Sequence, residues 1–260
     1  MKKAIIFGAG TMGPRVLQRF SATHEITAFS DNDVRKQGQM LCGLPVLPPG
    51  DLLLQANGMK WDIIIISTIS GAIHIRRQLT EELGIPSDKI IEDPMHITLN
   101  MARRNALKNA RELLELSGPI GSAAEVGVYQ GEFAAAINEV FPESTLYLFD
   151  TFEGMASEEE TMKLMPYPEK CVIKKGFFPD TAVGIDEQFS FVSLDVNQYH
   201  PTIEGLKFFY PKMKKGGYIF MHDYFYTTNR GVIDAFKEFS KTTPLHTAPL
   251  GDGCSIVLVK

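Results

Sequence analysis

Several features that would classify the chain quickly are missing from it. Its three cysteines, Cys42, Cys171 and Cys254, stand far apart in 260 residues with no CxxC spacing, so neither a disulfide framework nor a cysteine zinc site is encoded. Lysine and arginine number 26 against 31 acidic residues, a net charge of −5. Without a cationic excess to neutralise phosphates, a general nucleic-acid or anionic-membrane binder is excluded. The longest strongly apolar run, Ile63 to Ile66 with its neighbours, is far too short to span a bilayer, and Met1-Lys2-Lys3 leads into only four apolar residues, so no membrane anchor or signal peptide is expected. Low-complexity tracts and solenoid repeats are also lacking. What remains is an ordinary globular composition, 44% hydrophobic, long enough for two modest domains. Small-molecule chemistry in a reducing cytoplasm is the expectation, and a homo-oligomer is compatible with it.

The hydrophobic pattern alternates strands with helices. In residues 1–94, Lys3 to Phe7, Glu25 to Phe29, Asp62 to Ser67 and Lys89 to Glu92 read as strands, the four isoleucines of the third marking a strand buried on both faces. Met12 to Phe20 and Ala72 to Leu83 read as helices, which implies βαβ units. The turn-rich stretch Gly43 to Gly50 is expected to supply neither a central strand nor a helix interior. Residues 95–117 read as a connecting helix, ended by Ser117-Gly118-Pro119. A second alternation fills residues 118–260, with strands at Ala123 to Val128, Thr145 to Phe149, Cys171 to Lys174, Phe189 to Val196, Gly217 to His222, Leu245 to Ala248 and Cys254 to Val259. The fold class expected is α/β, two doubly wound Rossmann-like domains. Charge is unevenly divided: the first 94 residues balance ten basic against ten acidic, whereas residues 118–260 hold 12 against 19.

Two strand-to-helix turns carry candidate chemistry. Gly8, Gly10 and Gly13 form a GxGxxG directly after a strand and before a helix, where glycine lets a phosphate approach helix N-terminal amides. Asp31 ends the next strand, where a carboxylate can accept from ribose hydroxyls. NAD(P) or another nucleotide is the ligand expected there, an empty scaffold turn being the alternative. No partner domain for hydride transfer follows, and the YxxxK of Tyr210 to Lys214 lies at a helix end, where chance accounts for it.

The second turn, Glu125-Val-Gly127-Val-Tyr129-Gln-Gly131, replaces the first glycine by an acid. A carboxylate there discourages pyrophosphate and suits an ammonium or sulfonium ligand. Asp150 ends the following strand in register for a ribose diol. Together these describe S-adenosylmethionine better than NAD. Asp195 and the pair His222-Asp223 end neighbouring strands, so all three converge at one sheet edge. Such a set can hold Mg²⁺ or another divalent ion.

Both halves resemble known families. Gly8 to Gly13, Asp31-Asn32-Asp33 and Gly43-Leu44-Pro45-Val46-Leu47 resemble the small nucleotide-binding domain at the front of some sugar-modifying enzymes and acyltransferases. EVGVYQGEF at 125–133, LFDTFEGM at 148–155, GFFPDT at 176–181, residues 194–224 and GVIDAFKEF at 231–239 resemble the macrocin O-methyltransferase (TylF-like) family. That resemblance implies a seven-stranded class I methyltransferase sheet and methylation of a sugar or small polyol hydroxyl. It implies that Glu125, Gly127 and Gly131 form the methionine-side loop, that Asp150 holds the ribose, that Phe152 and Phe177 flank the adenine, and that Asp195 and Asp223 bind metal; His222 is a third candidate ligand, and Tyr129 and Thr151 are further candidates for contact with the cofactor. His222 and Asp195 are the candidate proton acceptors. The chain departs from the family where His222 stands for the first acid of a common DD pair and Asn197 for another acid. Its lid segment, Ala156 to Lys170, also lacks the histidine that serves family members as base. A nucleotide-sensing protein with a degenerate methyltransferase domain is the competing expectation.

Overall fold

Isoleucine-rich runs become the inner strands of the first sheet, as burial on both faces requires. A computed structural model describes residues 1–53, 61–68, 71–153, 156–225 and 230–260, with backbone alone at 94–98 and 100, and divides the chain into two units, Met1–Asn100 and Met101–Lys260. Gly154 and Met155 of the LFDTFEGM stretch lie outside the described residues.

The first unit holds β1 (Lys2–Phe7), α1 (Gly13–Phe20), β2 (His24–Ser30), β3 (Met40–Leu41), β4 (Leu44–Leu47), β5 (Ile63–Ile66), α2 (Ala72–Arg77) and β6 (Ile90–Glu92). The sheet order is β3-β4-β2-β1-β5-β6, and every neighbouring pair except β3–β4 is parallel. Ile64 and Ile66 pack with Ile5 and Phe7 on one face of β5, while Ile63 and Ile65 pack with Ile6 and Val16 on the other. The chain order reverses between β1 and β5, beside the turn after β1. Asp93, buried just after β6, forms an ion pair with Arg19 of α1.

One expectation fails here. Leu44–Leu47, inside the turn-rich stretch, is an interior strand flanked by β3 and β2. It is tolerated because its pairing with β2 starts only at Val46, opposite Phe29, so the missing N–H of Pro45 precedes that ladder.

The second unit contains β7 (Ser122–Val126), α4 (Glu132–Val140), β8 (Leu146–Asp150), α5 (Glu158–Lys163), β9 (Cys171–Lys175), β10 (Phe189–Leu194), α6 (Tyr199–Lys212), β11 (Met213–Met221), α7 (Arg230–Ser240), β12 (His246–Pro249) and β13 (Ile256–Val259), preceded by α3 (Pro94–Ser117). All seven expected strands are present, in the order β12-β13-β11-β10-β7-β8-β9. β13 runs antiparallel to both its neighbours, and the remaining pairs are parallel. This is the class I methyltransferase sheet, with its order reversal between β7 and β10.

Helices cover both faces. α6 and α7 pack through Ile203, Leu206, Phe209, Val232 and Ala235 on one face. On the other, α4 is joined by Leu107, Ala110 and Leu114 of α3. The helix expected to connect therefore also builds the second core, because its apolar positions recur at helical spacing.

Phe209 is the hub of the α6 side, its ring centroid within 6 Å of those of Phe149, Phe178, Phe189 and Phe208. Phe209→Ala should destabilise the second unit by about 3–5 kcal/mol, read as an earlier midpoint of its transition in chemical denaturation.

Candidate active site

Parallel neighbours bring the ends of β11, β10, β7 and β8 to one edge in that order. The backbone is under strain along this edge. Among the described residues, five non-glycine residues have left-handed φ, and four of them follow these strands: Tyr129 (+54°), Phe152 (+52°), Asn197 (+53°) and Asp223 (+60°). Each costs about 1 kcal/mol or more, and such outliers cluster where a site over-determines the chain. Gly127, at φ +86°, is required for a different reason: a Cβ there would collide with the carbonyl oxygen of Asp195 on the neighbouring strand end. Gly131 caps the start of α4 with φ +83°.

Asp150 holds two of the strained residues in place. Its Oδ2 accepts from the backbone N–H of Val128 (2.8 Å) and of Tyr129 (3.0 Å), and its Oδ1 accepts from that of Phe152 (3.0 Å). The expected ribose carboxylate is thus first a brace for the loop, with one lone pair of Oδ1 left for a ligand. Thr151 beside it is partly buried. Of the two aromatic residues expected near an adenine, Phe152 is buried among Val128, Met165 and their neighbours, whereas Phe177 exposes most of its ring. Tyr129 is about half exposed on the same edge.

At the order reversal, Glu125 of β7 faces Ser193 of β10 in register. Glu125 is buried; Ser193 Oγ donates to its Oε1 at 3.3 Å, and Oε2 has no hydrogen-bond partner among the described residues. Burial pushes the carboxyl up to about 8, opposed by the charge of Arg103 and reinforced by that of Asp195. Arg103 was not singled out in the sequence. It reaches in from α3, donating from Nη1 to Asp195 Oδ2 (3.2 Å) and from Nη2 to Ser193 Oγ (3.0 Å), with its guanidinium 3.7 Å above the centre of the Phe133 ring. Within α3 it is one basic residue among several, and no local signal sets it apart.

Asp195, His222 and Asp223 do converge. His222 Nδ1 lies 3.2 Å from Asp195 Oδ1 and 2.8 Å from Asp223 Oδ1, yet forms no aligned hydrogen bond. Donors around a small octahedral cation stand about 3 Å apart, so the two carboxylates and the imidazole fit a divalent ion, which would take the place of the imidazole proton. In the free chain burial works against protonating His222, but the Asp195 charge outweighs it and carries the imidazole up to about 12. Burial likewise opposes ionisation of Asp195, and the facing His222 and Arg103 charges overcome it, holding the carboxyl well below the usual range. On the far side of the ring, Cys254 Sγ stands 3.3 Å from Nε2, and the carboxylate of Asp252 is close by, capping the N–H groups of Cys254 and Ser255. Neither was anticipated from the sequence.

Residues 167–251 match the family model of macrocin-O-methyltransferase (TylF). Over that stretch the second unit is TylF-like. The matched stretch contains Phe177, Asp195, His222 and Asp223 and begins after the loop from Glu125 to Phe152. Solved structures of similar fold include the O-methyltransferase NovP, at 19% identity over 62% of this chain and 80% of that one (TM-score 0.53). CalS11, a TDP-rhamnose 3′-O-methyltransferase of calicheamicin biosynthesis, is 17% identical over 70% and 85% (TM-score 0.53). A putative caffeoyl-CoA O-methyltransferase from Staphylococcus aureus is 13% identical over 80% and 97% (TM-score 0.50). Residues 1–91 match a model described as C2185-like, N-terminal. No curated protein sequence matches the chain.

In the first unit the glycine turn follows β1 as expected. Gly13 is packed against the Gly8 carbonyl and the Phe29 ring, whereas a Cβ on Gly10 would meet only open space. Gly8 carries φ +112°. Asp31 braces this turn as Asp150 braces the other: Oδ2 accepts from Ala9 N–H (2.7 Å) and Lys36 Nζ (3.0 Å), and Oδ1 from Asp33 N–H (2.8 Å). Tyr210 of the YxxxK pattern is buried in the TylF-like domain, its hydroxyl donating to the Pro244 carbonyl.

Two outcomes follow for the TylF-like domain. Asp150→Ala should cost roughly 2–4 kcal/mol, because three N–H groups lose a charged acceptor. Adding Tyr129→Gly should recover part of that loss in urea titrations by relieving the left-handed strain. Glu125 holds its proton to about pH 8 when folded and to about 4.5, its ordinary value, when unfolded. The folded state therefore binds more protons between these values, and stability falls as pH rises from 4.5 through 8. Glu125→Gln should abolish this slope and gain roughly 1–3 kcal/mol on the wild type at pH 9; melting curves across pH 5 to 9 measure it.

Proposed function

We propose that the chain transfers a methyl group from S-adenosylmethionine to a hydroxyl of a sugar or other small polyol, assisted by a divalent metal. The observation that carries this reading is the juxtaposition, at the β7/β10 order reversal, of a buried and incompletely partnered Glu125 with the Asp195–His222–Asp223 cluster. An acidic pocket at that point suits a sulfonium cofactor. The TDP-rhamnose named for CalS11 supports a sugar acceptor.

The loop from Gly127 to Gly131 would hold the methionine side. Asp150 would offer its remaining lone pair to the ribose, and Thr151 and Phe177 would border the nucleoside. Asp195, His222 and Asp223 would hold the metal, which when bound acidifies a coordinated hydroxyl. Either Asp195 or His222 accepts the acceptor's proton. In the free chain Asp195 is the unprotonated member of that pair. The lid segment Ala156 to Lys170 contains α5, fixed by a capping box between Ser157 and Glu160.

The first unit would bind a nucleotide, NAD(P) or another, with its phosphates against the open side of Gly10 and the start of α1. Three free thiols fit a reducing cytoplasm. Among the described residues no helix is long and apolar enough to cross a membrane.

Calorimetric titration with S-adenosylmethionine, S-adenosylhomocysteine and NAD(H), with and without Mg²⁺, tests the assignment, and binding of NAD(H) alone would sink it. Asp223→Asn should lower methyl transfer to a panel of free and nucleotide-linked sugars by about 100-fold or more, while changing S-adenosylhomocysteine affinity by no more than about threefold.

A further inference from the structure

We propose a second cation site behind the His222 ring, where His222 Nε2, Cys254 Sγ and the Asp252 carboxylate would hold a thiophilic divalent ion such as Zn²⁺. It lies on the opposite side of the imidazole from Asp195 and Asp223 and does not depend on the methyl-transfer reading. The three donor atoms stand within 4.8 Å of one another, with Sγ 3.3 Å from Nε2. Donors bound at about 2.0–2.3 Å around a tetrahedral zinc are roughly 3.3–3.7 Å apart. Sulfur and nitrogen are therefore already at the spacing such an ion needs.

Two observations point to an ion rather than to packing alone. Asp252 is only 5% exposed, yet among the described residues no cationic side chain forms an ion pair with it. Its oxygens accept from the N–H groups of Cys254 and Ser255 and from the Ser255 hydroxyl, which leaves about one of the roughly four lone-pair positions of a carboxylate. Buried charges are ordinarily paired or bound to metal. The second observation concerns the ring. His222 turns Nδ1 toward Asp195 (3.2 Å) and Asp223 (2.8 Å), and a histidine that binds metal through one nitrogen almost always turns the other to a carboxylate, carbonyl or water.

The loop that carries the other donors is fixed in advance. Phe225 N–H donates to the Cys254 carbonyl and Leu250 N–H to the Ser255 carbonyl, both at 2.9 Å. On binding, the ion would replace the hydrogens of Sγ and Nε2, which leave to water as protons. Three protein donors leave the fourth position to water or another small ligand. A thiolate beside an imidazole selects zinc or cobalt over Mg²⁺. With ions on both sides, the ring would bridge them as imidazolate.

Cobalt(II), whose spectrum reports its ligands, is titrated into the full metal-free chain. One equivalent should give the near-ultraviolet charge-transfer band of a cobalt–thiolate bond and the strong visible bands of four-coordinate cobalt. Zn²⁺ should bleach both, and Mg²⁺ in about 100-fold excess should not. Cys254→Ser should remove the charge-transfer band and weaken Zn²⁺ about 100-fold or more, and Asp252→Asn, which keeps an oxygen for the two N–H groups, should weaken it about 10-fold or more. Should Cys254→Ser fail to fold, a chain carrying Cys42→Ser and Cys171→Ser, with Cys254 as its one thiol, should keep the band. Absence of cobalt binding, cobalt bound without a thiolate band, a band that survives Cys254→Ser or vanishes in the double variant, displacement by Mg²⁺, or an affinity indifferent to Asp252→Asn would overturn the site. Each of these would leave the methyl-transfer reading standing.

Discussion

The carboxylate of Asp150 is the contact on which the candidate site depends. A turn leaving a parallel strand points its N–H groups away from the sheet, where no neighbouring strand can accept from them. Asp150, at the end of β8, accepts from three of these groups and so fixes Tyr129 and Phe152 in left-handed conformations that neither would keep alone. The first unit solves the same problem with Asp31, which accepts from Ala9 and Asp33. The acid that follows or ends the second strand thus braces the preceding turn in both units.

Charge on the edge follows from the same topology. Glu125, Asp150, Asp195 and Asp223 are brought close together because parallel strands end side by side, with Arg103 and His222 as cations among them. The acidic excess of residues 118–260 is therefore partly concentrated where a cationic ligand is expected. Burial keeps the potential from being screened by salt. Of these groups Glu125 shows the strain most clearly, since its carboxyl retains a proton well into the neutral range.

Sequence periodicity was sufficient for the sheets where strands are long, apolar and punctuated by turns. All seven strands of the second unit were legible, together with the acids at their ends, because a strand end is marked by the change from apolar to polar residues. The strand Leu44–Leu47 was hidden, since two prolines in and beside it outweigh its pattern until the register with β2 is known. Phe152 could not be read as a core residue, because its burial follows from a backbone twist imposed by Asp150. Arg103, Asp252 and Cys254 were invisible for another reason. The first belongs to a helix some 90 residues away in sequence from its partners, and the others to a loop between antiparallel strands, so that only tertiary packing brings them to the edge.

The position of His222 between two carboxylates has a consequence that the geometry makes concrete. An imidazole offers its two nitrogens in opposite directions, Nδ1 toward Asp195 and Asp223 and Nε2 toward Cys254. When Nε2 carries the hydrogen and shares it with the sulfur, Nδ1 presents its lone pair to the carboxylates, the same division of labour by which outer partners orient metal-bound histidines. Two carboxylates and one imidazole carry less negative charge than a set of three acids and include a softer donor, which moves preference from Mg²⁺ toward transition metals. With Asn197 also neutral, the edge relies on directionality more than on charge: few anions, each held by a named partner, around an imidazole whose orientation is set from behind.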